Sequence, residues 1–176
     1  MPCSTFGKDG RVATRQEEAL KREIPIKSYA ISLFILRPRD GAFDLLLMRR
    51  TGKNLNGQWC QVAGSVEHGE TAWQAAIREA HEETGLILNE VYSADICEQF
   101  YESDRDVIAI TPVFVAFAPP DCEVQLNEEH DDFRWLSFGE ATELLPFSGQ
   151  RATLDHLKKE FVERQPNPLL RIRSEG

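Results

Sequence analysis

The stretch Gly64–Leu86, GSVEHGETAWQAAIREAHEETGL, decides how the chain is read. A loop, SVEHGE, leads into a helix that starts near Thr71 and ends near Thr84. Gly85 follows at the position where left-handed backbone commonly closes a helix. Trp73, Ile77, Ala80 and Thr84 form one stripe, with Ala72 and Ala76 beside it, so this face packs against a sheet. Glu79, Glu82 and Glu83 crowd at spacings of three and four on what reads as a different face. Each like-charge pair at such a spacing costs roughly 0.2–0.5 kcal/mol. The helix dipole also disfavours negative charge at that end. Carboxylates gathered against both effects imply a compensating cation.

The positions around them have physical tasks. Gly64 permits a tight turn or a close approach to a ligand. The three glutamates offer oxygen ligands suited to a hard divalent ion, Mg²⁺ or alternatively Mn²⁺. Arg78 can pair with one carboxylate and hold it, and Glu70 is a partner for Arg78 from the other end of the loop. A solvated amphipathic helix accounts for scattered glutamates. It leaves the two glycines, Glu70 and Arg78 without a reason for their spacing.

Outward from this stretch, Ser28–Arg37 and Phe43–Arg50 read as strands of a hairpin, separated by the turn-like Pro38–Gly41. Gly52–Gly57 is a loop, and WCQVAG is a short strand ending at Gly64. Downstream, LNEVYSADICEQFY holds a long strand, and Asp106–Ala118 is the most apolar strand, with Pro112 marking an edge or a bulge. Phe133–Leu136 is a short strand. Ser137 and Glu140 match a capping box for a short helix that stops at Pro146. Ser148 to about Val162 is the last helix, with Leu154, Leu157 and Phe161 turned inward. The expected fold class is α/β (α+β), a sandwich around a mixed sheet. One domain over residues 25–163 follows a polar arm, 1–24, which has a short helix in EEALKRE, and precedes a tail, 164–176.

The chain has 176 residues, 41% hydrophobic and 28% charged, which suits one globular domain. Twenty Lys and Arg against 29 Asp and Glu leave a net charge of −9, which argues against a nucleic-acid partner. A small phosphorylated substrate would need local positive charge, most simply from bound metal. Cys3, Cys60, Cys97 and Cys122 form no C-x-x-C pair; Cys60 and Cys97 read as buried free thiols in a reducing compartment. No apolar run reaches membrane-spanning length and no secretory h-region opens the chain, so the expectation is a cytoplasmic protein without a membrane partner.

Gly64, Glu70, Arg78, Glu79, Glu82, Glu83 and Gly85 match the signature of the Nudix hydrolases, G-x5-E-x7-R-E-U-x-E-E-x-G-U, with Ala80 small for its apolar position. Seven fixed residues, each used roughly once in fifteen, recur by chance in about one chain in a million of this length. The resemblance implies a Nudix-type α/β/α sandwich with a loop–helix–loop metal site. It implies that Glu79, Glu82 and Glu83, with the backbone carbonyl of Ala63, hold the metal, and that Glu82, Arg78 and Glu70 belong to the catalytic apparatus. A further acidic residue commonly precedes the strand at FRWL; Glu129 suits that role better than Glu128. His130 reads as a structural or surface residue rather than a ligand, because Mg²⁺ prefers oxygen. Arg49 or Arg50 is a phosphate contact, Gly64 lies against substrate, and Trp59 is core. Tyr101 is the substrate-side aromatic expected downstream, with Phe100 next to it as the other ring able to meet a base.

WCQVAGSVEHGETAWQAAIREAHEET and NEEHDDFRWLSFGEATELL further resemble the bacterial dihydroneopterin triphosphate and dATP pyrophosphohydrolase group, with Cys60, Gln61 and Ala63 departing from its pattern. That resemblance implies cleavage of a nucleoside (or pterin) triphosphate to the monophosphate and pyrophosphate. Dinucleoside polyphosphates, or another nucleoside-diphosphate-linked compound, are the alternative substrates. A catalytically silent nucleotide-binding regulator is the alternative of a different class. Many proteins of this family are dimers, so a homodimer is carried as an expectation.

Overall fold

The computed structural model describes residues 22–172. The polar arm, the helix expected within it and Cys3 lie almost wholly outside these residues. Among the described residues one mixed sheet contains nine strands. They are β1 (Ile26–Lys27), β2 (Ala30–Arg39), β3 (Ala42–Arg50), β4 (Trp59–Cys60), β5 (Val62–Ser65), β6 (Val91–Glu102), β7 (Val107–Phe117), β8 (His130–Leu136) and β9 (Arg171–Ile172). The main path runs β4-β3-β2-β7-β6-β9, with β1 on β7, β5 on β2 and β8 on β3. Strands β2 and β7 pair in parallel; β2–β3 and β6–β7 are antiparallel. Helix α1 (Ala72–Thr84) covers one face, and α2 (Phe138–Leu144) and α3 (Ser148–Leu157) cover the other.

Strand β2 shows why both faces need cover. Ile31, Leu33 and Ile35 join Ala75, Ala76 and Ala80 of α1. The alternate residues Phe34 and Leu36 join Leu154, Leu157 and Phe161 on the α3 side. Successive strand residues point to opposite faces, so a continuous apolar run signals burial on both. The α/β/α sandwich is therefore present. Trp59 is buried in the α3-side core, as its reading required.

Several boundaries differ from expectation, each for a local reason. The hairpin loop is two residues, not several: Asp40 and Gly41 both have positive φ, 48° and 80°. This geometry matches the twist of antiparallel strands and lets Arg39 pair with Ala42. The expected WCQVAG strand splits at Gln61 into β4, which pairs with β3, and β5, which pairs with β2. Pro112 is not at an edge. It sits in the central strand β7 opposite Cys97, where the bulge lies in the partner β6 between Ser93 and Cys97, with Asp95 at φ 59°. Cys97, expected to be buried, is exposed. The last helix widens into a π turn over Lys158–Val162. Within the expected tail, Arg171 and Ile172 pair with Tyr92 and Val91, extending the sheet by β9.

Candidate active site

Strand β5, the loop after it and α1 place the box residues. Thr71 caps α1: its hydroxyl accepts from the Gln74 backbone N–H, while the Gln74 side chain accepts from the Thr71 backbone N–H. Gly85 closes the helix at φ 69°. Gly64 needs to be glycine because an added β-carbon would overlap the Glu79 carboxyl group.

Arg78 organises this corner. Its Nε donates to Glu70 Oε2 at 3.2 Å and its Nη2 to Glu70 Oε1 at 2.8 Å. Nη2 also donates to the Ser65 carbonyl at 2.9 Å. Nη1 reaches Glu79 Oε1 at 2.9 Å and Glu82 Oε2 at 3.1 Å. A guanidinium has five N–H donors in a fixed fork, and all are engaged here. The carboxylates hold the Arg78 pKa above its ordinary value, Glu70 foremost, and Arg78 in turn lowers that of Glu70. Glu70 additionally accepts from the Glu67 N–H at 2.7 Å, which fixes the loop.

The glutamates are not equivalent. Glu82 is the outer one, with its side chain half exposed. Glu83 is 2% exposed, and its Oε2 has no hydrogen-bond partner. It does not share the open face expected for all three. Burial pushes its pKa to about 8, with the charges of Glu79 and Glu129 adding to the rise and Arg50 opposing it. Backbone hydrogen bonding from Ala63 also opposes the rise, so β5 brings this predicted position to Glu83. The pKa of Glu79 is likewise raised, chiefly by burial.

From across the sheet, Arg50 and Glu129 complete the cluster. Arg50 Nη2 lies 3.6 Å from Glu129 Oε2, and the buried Arg50 Nε has no partner. Thr51 anchors the loop: its N–H donates to the Glu129 carbonyl and its hydroxyl to the Glu128 carbonyl, both at 2.9 Å. Asn127 Oδ1 accepts from the Glu129 N–H at 3.1 Å and lies 3.3 Å from His130 Nδ1. His130 is buried and stands 3.8 Å from Cys60 Sγ, a structural position. Alternation along β3 separates the paired arginines: Arg49 points to the other face, bonded to Asp131 at 2.6 Å, with the Trp59 ring nearby. Tyr101 is exposed on β6, and its hydroxyl donates to Asp106 at 2.9 Å near the β6–β7 turn.

The donor chemistry fits a divalent cation. A buried carboxylate oxygen without a partner, beside two like charges, is costly unless a positive group meets it. Among the described residues the acidic side chains do not converge as a ready three-ligand set, and Arg78 bonds one oxygen each of Glu79 and Glu82. Mg²⁺ needs no such set: it commonly takes one or two carboxylates and keeps several waters.

A second polar group appears only in the structure. Gln150 Nε2 on α3 donates to Gln61 Oε1 at 2.9 Å, and Gln61 Nε2 donates to Ser32 Oγ at 2.8 Å. Thr153 Oγ1 donates to Glu98 Oε1 at 3.0 Å, while burial raises the Glu98 pKa. The Gln150 bond ties α3 to the break between β4 and β5, immediately before the box, and the Thr153 bond ties it to β6. Their partners are up to 89 residues apart in the chain, so no local spacing announces them.

Comparison with known proteins gives the family. The family described as NUDIX domain matches residues 27–164. A bis(5'-nucleosyl)-tetraphosphatase [asymmetrical] of Sus scrofa is 31% identical over 138 residues, covering 71% of this chain and 89% of that protein. An octanoyltransferase of Myxococcus xanthus is 34% identical over 134 residues, covering 75% of this chain, which spans only 37% of that protein's length. The structure of the E. coli dihydroneopterin triphosphate pyrophosphohydrolase superposes with a TM-score of 0.61 at 24% identity, over 73% of this chain and 96% of that one. The chain belongs to the Nudix hydrolases, enzymes that act on phosphoric anhydride bonds.

Proposed function

We propose that the protein is a divalent-metal-dependent pyrophosphohydrolase that cleaves a nucleoside (or pterin) triphosphate to the monophosphate and pyrophosphate. The observation that carries the metal-dependent step is the partnerless, buried Glu83 oxygen beside Glu79 and Glu129. Glu79, Glu82 and Glu83, with the Ala63 carbonyl, would hold Mg²⁺ or Mn²⁺. When bound there, the ion supplies Lewis-acid polarisation of phosphate oxygens. Arg78 keeps Glu79 and Glu82 in place and, through Glu70 and Ser65, fixes the loop against α1. Arg50 is the phosphate contact, since β3 turns it, rather than Arg49, toward Glu83 and Glu129. Glu129, held near the cluster by Thr51 and Asn127, orients or deprotonates the attacking water.

A second reading has its own support. The 31% identity to the Sus scrofa tetraphosphatase favours a dinucleoside polyphosphate as substrate. The two readings share the metal site and differ in product. A panel of nucleoside triphosphates, dihydroneopterin triphosphate, ADP-ribose and dinucleoside polyphosphates, with Mg²⁺ and product identification, separates them. Release of pyrophosphate with a monophosphate supports the first reading. Asymmetric cleavage of a dinucleoside polyphosphate into two nucleotides supports the second. Binding without any hydrolysis, under each divalent ion, would identify a silent regulator and sink both.

A further inference from the structure

Strand β6 has one side with almost no neighbour. Its inner side pairs with β7, and its outer side meets β9 at Val91 and Tyr92. On that outer side Ile96–Glu102 pairs with no strand among the described residues. The direction of its backbone groups follows from β7. The Ile108 N–H donates to the Pro25 carbonyl at 2.9 Å, so Ile108 turns its backbone toward β1. Backbone direction alternates along a strand, so Ala109 turns toward β6, where Phe100 faces it. Glu98, Phe100 and Glu102 are therefore bonded inward. Cys97, Gln99 and Tyr101 aim their N–H and C=O groups outward.

Such an edge is a template for another strand, and proteins usually blunt it with lysine, proline or free charge. The stretch ICEQFYE, Ile96–Glu102, has no lysine, arginine or proline. Its carboxylates are already engaged: Glu98 accepts from Thr153 at 3.0 Å, and Glu102 accepts from Tyr29 and lies 3.3 Å from Arg105. Cys97 and Gln99 are exposed, and Tyr101 is 55% exposed. Tyr101 also ends an apolar row across the sheet, Ile26–Ile108–Tyr101, set by the two registers of β7.

We propose that a second copy of this chain pairs with this edge, β6 against β6 in antiparallel order, with the two-fold axis at Gln99. Residues with outward backbone groups must face one another, and like charges directly opposite destabilise the pair. An axis at Glu98 sets that carboxylate against its own copy, and one at Phe100 sets Glu98 against Glu102 twice. An axis at Cys97 draws in Asp95, whose φ of 59° breaks the strand. The axis at Gln99 opposes Gln99 to itself, Cys97 to Tyr101 and Glu98 to Phe100, with no carboxylates directly opposed. It also continues the apolar row from Tyr101 onto Cys97 of the second copy. The catalytic corner on β3, β5 and α1 lies beyond β7 and β2 and stays open. A short strand pair buries less than the roughly 800 Å² per partner of a standard interface, so the dimer is weak.

The test is sedimentation velocity of the full chain over a micromolar concentration series. The expected result is a monomer that becomes a dimer as concentration rises. Gln99→Pro removes an outward N–H that β7 does not use, and should weaken association about tenfold, one bond being lost from each copy. Gln99→Lys sets two cations face to face across the axis and should weaken it in a way that added salt relieves. Unaltered thermal transitions would show that the variants fold. Diamide oxidation of Gln99→Cys, with Cys3→Ser removing the arm thiol, reads the register. Residues opposed in a hydrogen-bonded pair are about 5.5 Å apart, within disulfide reach, whereas the two copies of Cys97 would stand about 14 Å apart. The introduced thiol should therefore link the copies, and Cys97 should not, as peptide mass spectrometry would show. A link through Cys97, or none at the introduced thiol, overturns the register. A chain that stays monomeric throughout the series, as it would if its own N-terminal arm covered the edge, or a dimer indifferent to Gln99→Lys, overturns the proposal.

Discussion

At Gly64 the missing side chain is the function. An added methyl group would displace the Glu79 carboxyl group while β5 stays paired with Ile31. The end of a glutamate can swing aside, so Gly64→Ala should change the thermal midpoint little. Displacing this proposed metal ligand by about an ångström should still lower kcat/KM roughly tenfold to a hundredfold, measured by steady-state kinetics. Arg78 makes a complementary case. Lysine keeps the charge but cannot reproduce five bonds in a fixed fork. Arg78→Lys is therefore expected to lower kcat by about tenfold or more, with substrate-saturated rates as the readout. Both residues are legible in the sequence because their spacing is local. The burial of Glu83 was legible too: Ala76, Ala80 and Glu83 recur at four and three residues, the period of the inward stripe. Reading the glutamates as one group of like charges hides this.

At the scale of elements, α1 carries a carboxylate into the protein interior, and that has a pH signature. The folded-state pKa of Glu83 is raised to about 8, above its ordinary 4.5. A carboxyl group shifted this way is neutral in the folded state where it would be charged in the unfolded chain. Its contribution to stability is therefore fully present below about pH 4.5 and is lost as pH rises to about 8. Glu79 shifts in the same direction, Glu129 reinforces the rise, and Arg50 opposes it. Metal-free protein should thus lose thermal stability between pH 5 and 8 in this part of its profile, and Glu83→Gln should flatten that loss. Differential scanning fluorimetry across pH, in chelator and then in Mg²⁺, checks this; in Mg²⁺ the wild-type loss should shrink. Strand β3 supplies a second element-scale prediction. Alternation sends Arg50 to the cluster and Arg49 to Asp131. Arg50→Ala should raise KM or lower kcat by about tenfold or more, roughly the cost of a lost charged hydrogen bond, while Arg49→Ala stays near wild type. The sequence shows two adjacent arginines; only strand phase distinguishes them, and β3 register depends on partners such as β8, more than 80 residues away.

For the whole molecule, the sandwich was readable because its strands are apolar on both faces and its helices carry local caps. What the sequence does not reveal is created by long-range pairing. The bulge opposite Pro112, the docking of β9 and the Gln150–Gln61–Ser32 chain all join distant segments. The metal corner is the opposite case: most of it is one continuous stretch, to which the fold adds Arg50 and Glu129. The central claim is that this corner acts by holding a divalent ion on the glutamates of α1. The direct measurement is the hydrolysis rate of the best substrate as Mg²⁺ is titrated into chelator-treated protein, for wild type and Glu83→Gln. Rate should rise from near zero with Mg²⁺ for wild type, and the variant should stay at least about tenfold lower at saturating metal. Full activity in EDTA, or a Glu83→Gln titration that overlays the wild type, would contradict it.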